Sequence, residues 1–299
     1  MRHRSALRNA AEFLFALALL KSLEYTPRPA AERLARFYAA LLDRFVPRLR
    51  RTALRNLEMA LPELGSEDRR RIADGVFDSI ARLLVAFSRF PRLDRRNISS
   101  WIRYEGIEHF EQAQRRGRGV LFATAHLGNW ELSAFAHALM TAPMQVVVRR
   151  LDNPWLDKLV ERRRALSGNR VIEKRDFARG ILKALAANEA VGILADQNSS
   201  PEQGVFVDFF GISACANAGL ARVAAHSGAS VIPGFALWSR DERRYVLRFY
   251  PPVEITGDLQ ADTQRIQRAL EEAIRSFPDQ WLWIHRRWKT RPPGEEPLY

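Results

Sequence analysis

The sequence predicts an α/β protein, its central sheet flanked by helices and preceded by a mainly helical N-terminal region. Three observations carry this. Through most of the first 116 positions, apolar residues recur at helical spacing. From Gly117 onward, short apolar runs bounded by turn residues appear at 120–125, 145–148, 191–194, 231–237 and 245–249. Helical stretches at 130–140, 155–166, 177–187 and 216–226 separate most of these runs, and strands alternating with helices argue for a sheet covered on both faces.

The N-terminal elements follow in order. Residues 10–20 (AAEFLFALALL) are apolar except for Glu12, and Arg2, His3, Arg4 and Arg8 precede them. Spanning a bilayer takes roughly 20 apolar residues, and this run is shorter. No A-x-A-like cleavage site follows, which argues against a secretory signal peptide. The segment reads as a helix lying in, or partly inserted into, the membrane interface, with an ordinary core helix as the alternative. A helix over 30–45 carries Leu34, Phe37, Tyr38, Leu41, Leu42 and Phe45, and Pro47 punctuates it. Another covers 49–61, with Arg51 and Arg55 among apolar residues, and stops at Pro62. Ser66 opens a third, carrying Ile72, Val76, Ile80, Leu83, Leu84 and Phe87, and Pro91 ends it. Residues 1–100 are therefore an accessory, membrane-associated helical region and 101–299 the α/β domain.

Composition narrows the function classes. At 299 residues and 47% hydrophobic content the chain is folded, with one large or two small domains. Lys plus Arg number 47 against 34 Asp plus Glu, a formal charge of +13 that attracts polyanions: nucleic acid, anionic lipid head groups or an acidic protein. The single cysteine, Cys215, excludes an internal disulfide, and a reducing compartment is the simplest reading. One cysteine and six scattered histidines do not make a closely spaced zinc site.

The most informative segment is 123–133, ATAHLGNWELS. A buried strand ends at Ala125 and a helix starts near Trp130, with Gly128 and Asn129 between. The carboxyl edge of the strands is where open α/β sheets place ligands, and His126 falls there. On a continuous helix Glu131 would lie about 140° from His126 at ~3.6 residues per turn, but the Gly-Asn break lets the two meet. A carboxylate on one imidazole nitrogen fixes the tautomer and supports the imidazolium formed when the other takes a proton. That suits deprotonation of a hydroxyl attacking a thioester. The plainer reading makes His126 a helix cap and Glu131 a solvated N-terminal acid, since a short motif matches often by chance.

Here the sequence resembles a known family. His126 through Glu131 (HLGNWE) looks like the H-x4-D/E block of the lysophospholipid acyltransferase superfamily. Residues 51–63 (RTALRNLEMALPE), 149–154 (RRLDNP) with Arg162 and Arg164, Asp196-Gln197 with Phe209-Phe210-Gly211, and 282–292 (LWIHRRWKTRP) resemble, in order, the other blocks of the lipid A biosynthesis acyltransferases. The likeness covers nearly the whole chain. Departures fall at Val148-Arg149-Arg150, at Arg162-Arg163-Arg164 and at Asn198-Ser199.

The resemblance implies a glycerolipid-acyltransferase-like fold, a central mixed sheet flanked by helices. It implies an acyl thioester on acyl carrier protein as donor, a glycolipid acceptor (a lipid A precursor), and direct transfer with neither metal nor covalent acyl-enzyme. His126 is then the general base supported by Glu131. Arg149 and Arg164 are candidate clamps for an acidic group of the acceptor, though a solvated basic helix face would read the same. Asp196 and Gln197 end an apolar run and belong near the same edge, as orienters or acceptor contacts, or as plain turn formers. Trp281, Trp283 and Trp288 among Arg286, Arg287 and Lys289 read as an interfacial anchor, with a C-terminal helix packed on the core as the alternative. His109, His137 and His226 read as structural. The expected site is the cytoplasmic face of a bacterial inner membrane, with membrane lipid as partner and no nucleic acid. A different glycolipid or lysophospholipid, such as a mannosylated phospholipid, is the nearest rival acceptor. A non-enzymatic basic module for membrane or nucleic acid leaves the ordered blocks unexplained.

Overall fold

Prolines punctuate the N-terminal third at both ends of its helices. In the computed structural model, which describes residues 5–173 and 177–299, Pro29 and Pro47 sit in the first turns of α2 (Arg28–Phe45) and α3 (Pro47–Ala60). There a missing N–H costs nothing. α1 (Ala6–Tyr25) precedes them, its N-terminus capped by the Ser5 hydroxyl, and α4 (Ser66–Ser88) follows. Arg2, His3 and Arg4, which the sequence reading placed before the apolar run, lie outside the described residues. Among the described residues no helix is long and apolar enough to cross a membrane.

The second part alternates as expected: β1 (Ile102–Glu105), α5 (Ile107–Arg115), β2 (Val120–Thr124), α6 (Trp130–Met140), β3 (Gln145–Val148), α7 (Pro154–Ala165), β4 (Arg170–Glu173), α8 (Phe177–Ala186) and β5 (Ala190–Leu194). A hairpin of β6 (Gly204–Phe209) and β7 (Ile212–Asn217) comes next, then α9 (Gly219–Ser227), β8 (Ser230–Ser239), β9 (Arg244–Phe249) and α10 (Leu259–Ser276). Seven of the described strands form one mixed sheet in the order β1-β9-β8-β2-β5-β3-β4. The β8–β9 pair alone is antiparallel in it, because a short turn joins those two strands.

Four strands escaped the sequence reading: β1, β4 and the β6–β7 hairpin. The helix expected over 216–226 starts late, since Ala216 and Asn217 still belong to β7. α10 was also missed, although Asp258 caps it and Ile266, Leu270, Ala273 and Ile274 line its buried face.

Alternation along β2 divides the core. Leu121 and Ala123 point to a cluster completed by α3, α9, α10 and the C-terminal segment. Val120 and Phe122 point the other way, to Leu132 and Phe135 of α6 and to Leu20, Ala86, Phe87 and Phe90 of the N-terminal region. The N-terminal helices thus share a core with the sheet. Trp281, Trp283 and Trp288 are buried in the first cluster. This corrects the interfacial reading of that segment, and the alternative needs correction too, because the chain there runs as turns and not as a helix. Burial is tolerated because both terminal nitrogens of Arg287 find partners, donating to the Cys215 carbonyl at 2.8 Å and to Gln267 Oε1 at 3.0 Å.

Candidate active site

The register of two parallel strands builds the site. Thr124 of β2 is paired with Leu194 of β5, and the ladder continues as the Ala195 N–H donates to the Thr124 carbonyl at 2.9 Å. Two residues beyond each of those partners stand His126 and Asp196, side by side at the carboxyl edge of the sheet. Asp196 Oδ1 lies 2.9 Å from His126 Nδ1, and Oδ2 accepts from the His126 backbone N–H at 2.9 Å. The indole N–H of Trp281 donates to the same Oδ2 at 2.8 Å.

The loop after β2 is pinned on both sides. The Gly128 N–H donates to the Gln280 carbonyl, the Asn129 N–H to the Ala236 carbonyl, and the Leu282 N–H to the His126 carbonyl, each at 2.9 Å. Gly128 has φ +66°, and a Cβ there would come 2.0 Å from the Ala236 oxygen, so glycine is required. Asn129 then caps α6 by accepting from the Leu132 N–H at 3.0 Å.

Electrostatics follow from this geometry. Burial works against a charged imidazole, but the Asp196 charge and hydrogen bond, with the Glu131 charge adding, outweigh it and hold the His126 pKa above its ordinary value. Burial likewise opposes the Asp196 carboxylate. Its neighbours His126 and Trp281 prevail, and its pKa falls to about 2.

Glu131 is placed differently from the sequence reading. The carboxylate on the His126 imidazole is Asp196, whereas Glu131 forms a two-point ion pair with Arg164, at 2.9 Å to Nε and 2.5 Å to a terminal amino group. Glu131 acts on His126 through charge. The sequence places Asp196 near this edge as an orienter, an acceptor contact or a turn former; the structure adds its direct hold on His126. The Gln197 amide nitrogen lies 3.4 Å from His126 Nε2. Arg149, at the end of β3, is exposed and 3.6 Å from Asp152, apart from the Glu131–Arg164 pair. Arg163 is structural: it is buried, pairs with Glu24 of α1 at 2.9 Å and donates to the Phe87 and Ser88 carbonyls.

Beneath α6 lies a mainly apolar cavity of about 720 Å³, mouth included. Glu131, Arg164, Trp130 and Thr124 line it together with Phe122, Met144, Val146, Gly192 and Phe249. Trp130 also packs edge-on against the His126 ring, 4.9 Å between centroids, which joins imidazole and cavity. His137 lines the cavity as well, beside the Tyr104 hydroxyl at 3.0 Å, and burial drives its pKa down to about 3, so it is neutral.

The segments that carry the resemblance converge on this pair. Asn56 of α3 donates from Nδ2 to the Trp283 carbonyl at 2.6 Å and to the His285 carbonyl at 2.7 Å. That fixes the C-terminal segment whose Trp281 holds Asp196. Neither Asn56 nor Trp281 was singled out as a site residue from sequence. A tryptophan needs a partner for its indole N–H when buried, and that was the available signal.

Chemically, an oriented imidazole beside an apolar chamber is the equipment of an enzyme that transfers acyl groups. Comparison with known proteins makes this specific. The profile of the bacterial lipid A biosynthesis acyltransferase family matches residues 1–290. Among similar curated proteins are the lipid A biosynthesis lauroyltransferase of Escherichia coli K12, 30% identical over 91% of this chain and 90% of that protein, and its palmitoleoyltransferase, 29% identical over 95% and 93%. The myristoyltransferase of the same strain is 27% identical over 86% and 81%. The chain belongs to the bacterial lipid A biosynthesis acyltransferases.

Proposed function

We propose that this chain moves a fatty acyl group from the thioester of an acyl carrier protein to a hydroxyl of a lipid A precursor, at the cytoplasmic face of the inner membrane, with His126 as general base. The observation that carries the mechanism is the His126–Asp196 pair set beside the apolar cavity.

His126 Nε2 takes the proton of the acceptor hydroxyl while Asp196 holds Nδ1 and supports the imidazolium. The acceptor oxygen attacks the thioester carbonyl and forms a C–O bond. Collapse breaks the C–S bond, and the departing thiolate takes the proton back from the imidazolium. The N-terminal end of α6 adds positive potential where the carbonyl oxygen gains charge. The cavity beneath α6 receives the acyl chain, a fit supported by its apolar lining. Glu131 and Arg164 line it; in this reading Glu131 contributes charge to His126 and position to Arg164. Arg164, Arg149 and Gln197 face the acceptor side. The basic balance of the chain suits an acidic carrier and an anionic surface.

The membrane contact in this reading is peripheral. α1 turns Leu7, Ala11, Leu14, Phe15 and Ala18 outward along one face, an apolar stripe on the solvent side of a docked helix. Exposed Trp155 adjoins the same helix, edge-on to Phe13 at 5.9 Å. Such a stripe with aromatic and basic neighbours suits burial in the interface. Mass spectrometry of products, after incubating the protein with carrier-bound acyl thioesters and a panel of glycolipid acceptors, tests the reading. Acylated lipid A precursor is the expected product; transfer only to an unrelated acceptor would reject it.

A further inference from the structure

A second, open-mouthed cavity of about 730 Å³, mouth included, is lined by α2, α4, the end of β8 and the β8–β9 turn. Four guanidinium groups line it, from Arg36, Arg82, Arg240 and Arg243, against the carboxylates of Glu32 and Asp78. Glu32 is paired with Arg28 at 3.1 Å, and Arg240 with Asp279 at 2.9 Å. Arg36 donates from Nε to the Glu32 carbonyl at 3.3 Å.

Arg82 stands apart. Its Nε is buried and has no hydrogen-bond partner among the described residues. Its guanidinium carbon lies 5.6 Å from the centroid of Trp238, which also lines the cavity. Behind Trp238, at 5.1 Å between ring centroids, the Tyr245 hydroxyl is buried between Arg82 and Asn129, so Arg82 backs onto Tyr245 as well as onto the cavity. Arg82 thus brings an open buried donor to a cavity that three further guanidinium groups line, and a ligand oxygen there satisfies it.

The place is suggestive too. β8 runs parallel to β2, paired from Ser230 to Pro233, and continues past the end of β2 to Ser239. The cavity therefore lies at the same edge of the sheet as His126, on the β8 side, opposite the β3 side that carries Arg149.

We propose that this cavity binds a phosphomonoester carried on a sugar. The arginines hold the phosphate oxygens, and Trp238 lies against the sugar. Guanidinium forks match phosphate in shape and charge, and a concave site suits a small headgroup better than it suits a protein surface. The ligand could reach the cavity as the headgroup of a membrane glycolipid or as a free sugar phosphate. We assign the headgroup, and this part rests on the glycolipid-acceptor reading above.

Calorimetric titration of the full-length protein with glucose 6-phosphate, and with glucose as control, reads the site without any acyl transfer. Saturable binding of the phosphate ester alone is expected, weakened about tenfold or more in Arg82→Gln and in Arg36→Gln. Arg36 is exposed, so that variant remains informative if Arg82→Gln fails to fold. No binding to the wild-type protein, or equal binding in the variants, overturns the proposal. Kinetics with phosphorylated and dephosphorylated glycolipid acceptors then separate the sources. For a headgroup site, Arg36→Gln raises KM for the phosphorylated acceptor about tenfold and leaves the dephosphorylated one unchanged. If sugar-phosphate binding is lost but acceptor KM is not, the headgroup assignment is overturned. Absence of transfer by the wild-type protein would count against the acceptor reading and not against the cavity.

Discussion

Asp196 holds His126 twice, once at imidazole Nδ1 and once at the backbone N–H, so a single carboxylate sets both the ring and the loop that carries it. Its remaining contact, with the indole of Trp281, anchors it to the C-terminal segment. Replacing Asp196 with Ala would leave three largely buried donors without their acceptor. Each costs about 1–3 kcal/mol, and the midpoint of denaturant unfolding should fall accordingly. Asp196→Asn keeps the shape and should lose much less stability than activity.

The loop itself can be tested at Gly128. Any Cβ there collides with the Ala236 carbonyl, so Gly128→Ala must displace the loop that presents His126. Transfer should fall by on the order of 10²-fold, since small misplacements at a reacting centre are costly. Near-normal turnover with an unchanged melting temperature would show that the loop tolerates the shift.

The ion pair lining the cavity gives a third prediction. Glu131→Gln strands Arg164 in a largely dry setting and removes a charge that favours the imidazolium. It should reduce transfer less than Asp196→Asn does, and the double variant with Arg164→Gln should recover part of the lost stability. A fully buried pair broken on one side costs on the order of 3–5 kcal/mol, and this pair costs less because Arg164 still touches water. Thermal unfolding of the two single variants and the double variant measures this. Steady-state kinetics on the same proteins, with Arg149→Gln alongside, should show acceptor KM rising more than donor KM.

The cavity predicts chain-length selection. Gly192 lines it, with the Met144 methyl 2.9 Å from where a Cβ would stand. Gly192→Val should shift preference toward shorter acyl groups, because the added methyls occupy space the chain would fill. Competition between acyl thioesters of different length, read by product mass, checks it.

Much of this site was legible in the sequence, and the part that was not has a physical reason. His126 was recognisable because an apolar strand ends just before it and Gly-Asn breaks the path to the next helix. Glu131 was assigned to the imidazole because it is close in sequence. Its partner is Arg164, 33 residues on, and the carboxylate on His126 comes from 70 residues on. Asp196 was visible as a strand end, but which strand lies beside β2, and in what register, depends on the whole sheet. The tryptophans near the C-terminus were misplaced for a related cause. Aromatic residues among arginines have the composition of a membrane interface, and only the partners of Arg287 reveal a core. The N-terminal apolar run was legible as a helix, yet removing residues 1–23 to test attachment would also take away Leu20 and Leu23, which are buried.

Attachment is therefore better probed on the outer stripe of α1. Leu14→Ser with Phe15→Ser should move the protein from liposomes of anionic lipid toward the supernatant without altering its melting temperature, since both side chains are exposed. Unchanged flotation would shift the contact to another surface.

The pH dependence of kcat/KM tests the central claim most directly. The base must be neutral to act, and Asp196 holds the His126 pKa above the ordinary imidazole value of 6.5. Activity should fall as pH drops through a midpoint above 6.5. In Asp196→Asn that acidic midpoint should move to lower pH, while the plateau rate falls by on the order of 10²–10⁴-fold. An acidic midpoint that stays put in Asp196→Asn, with a plateau near wild type, would contradict a His126 base oriented by Asp196.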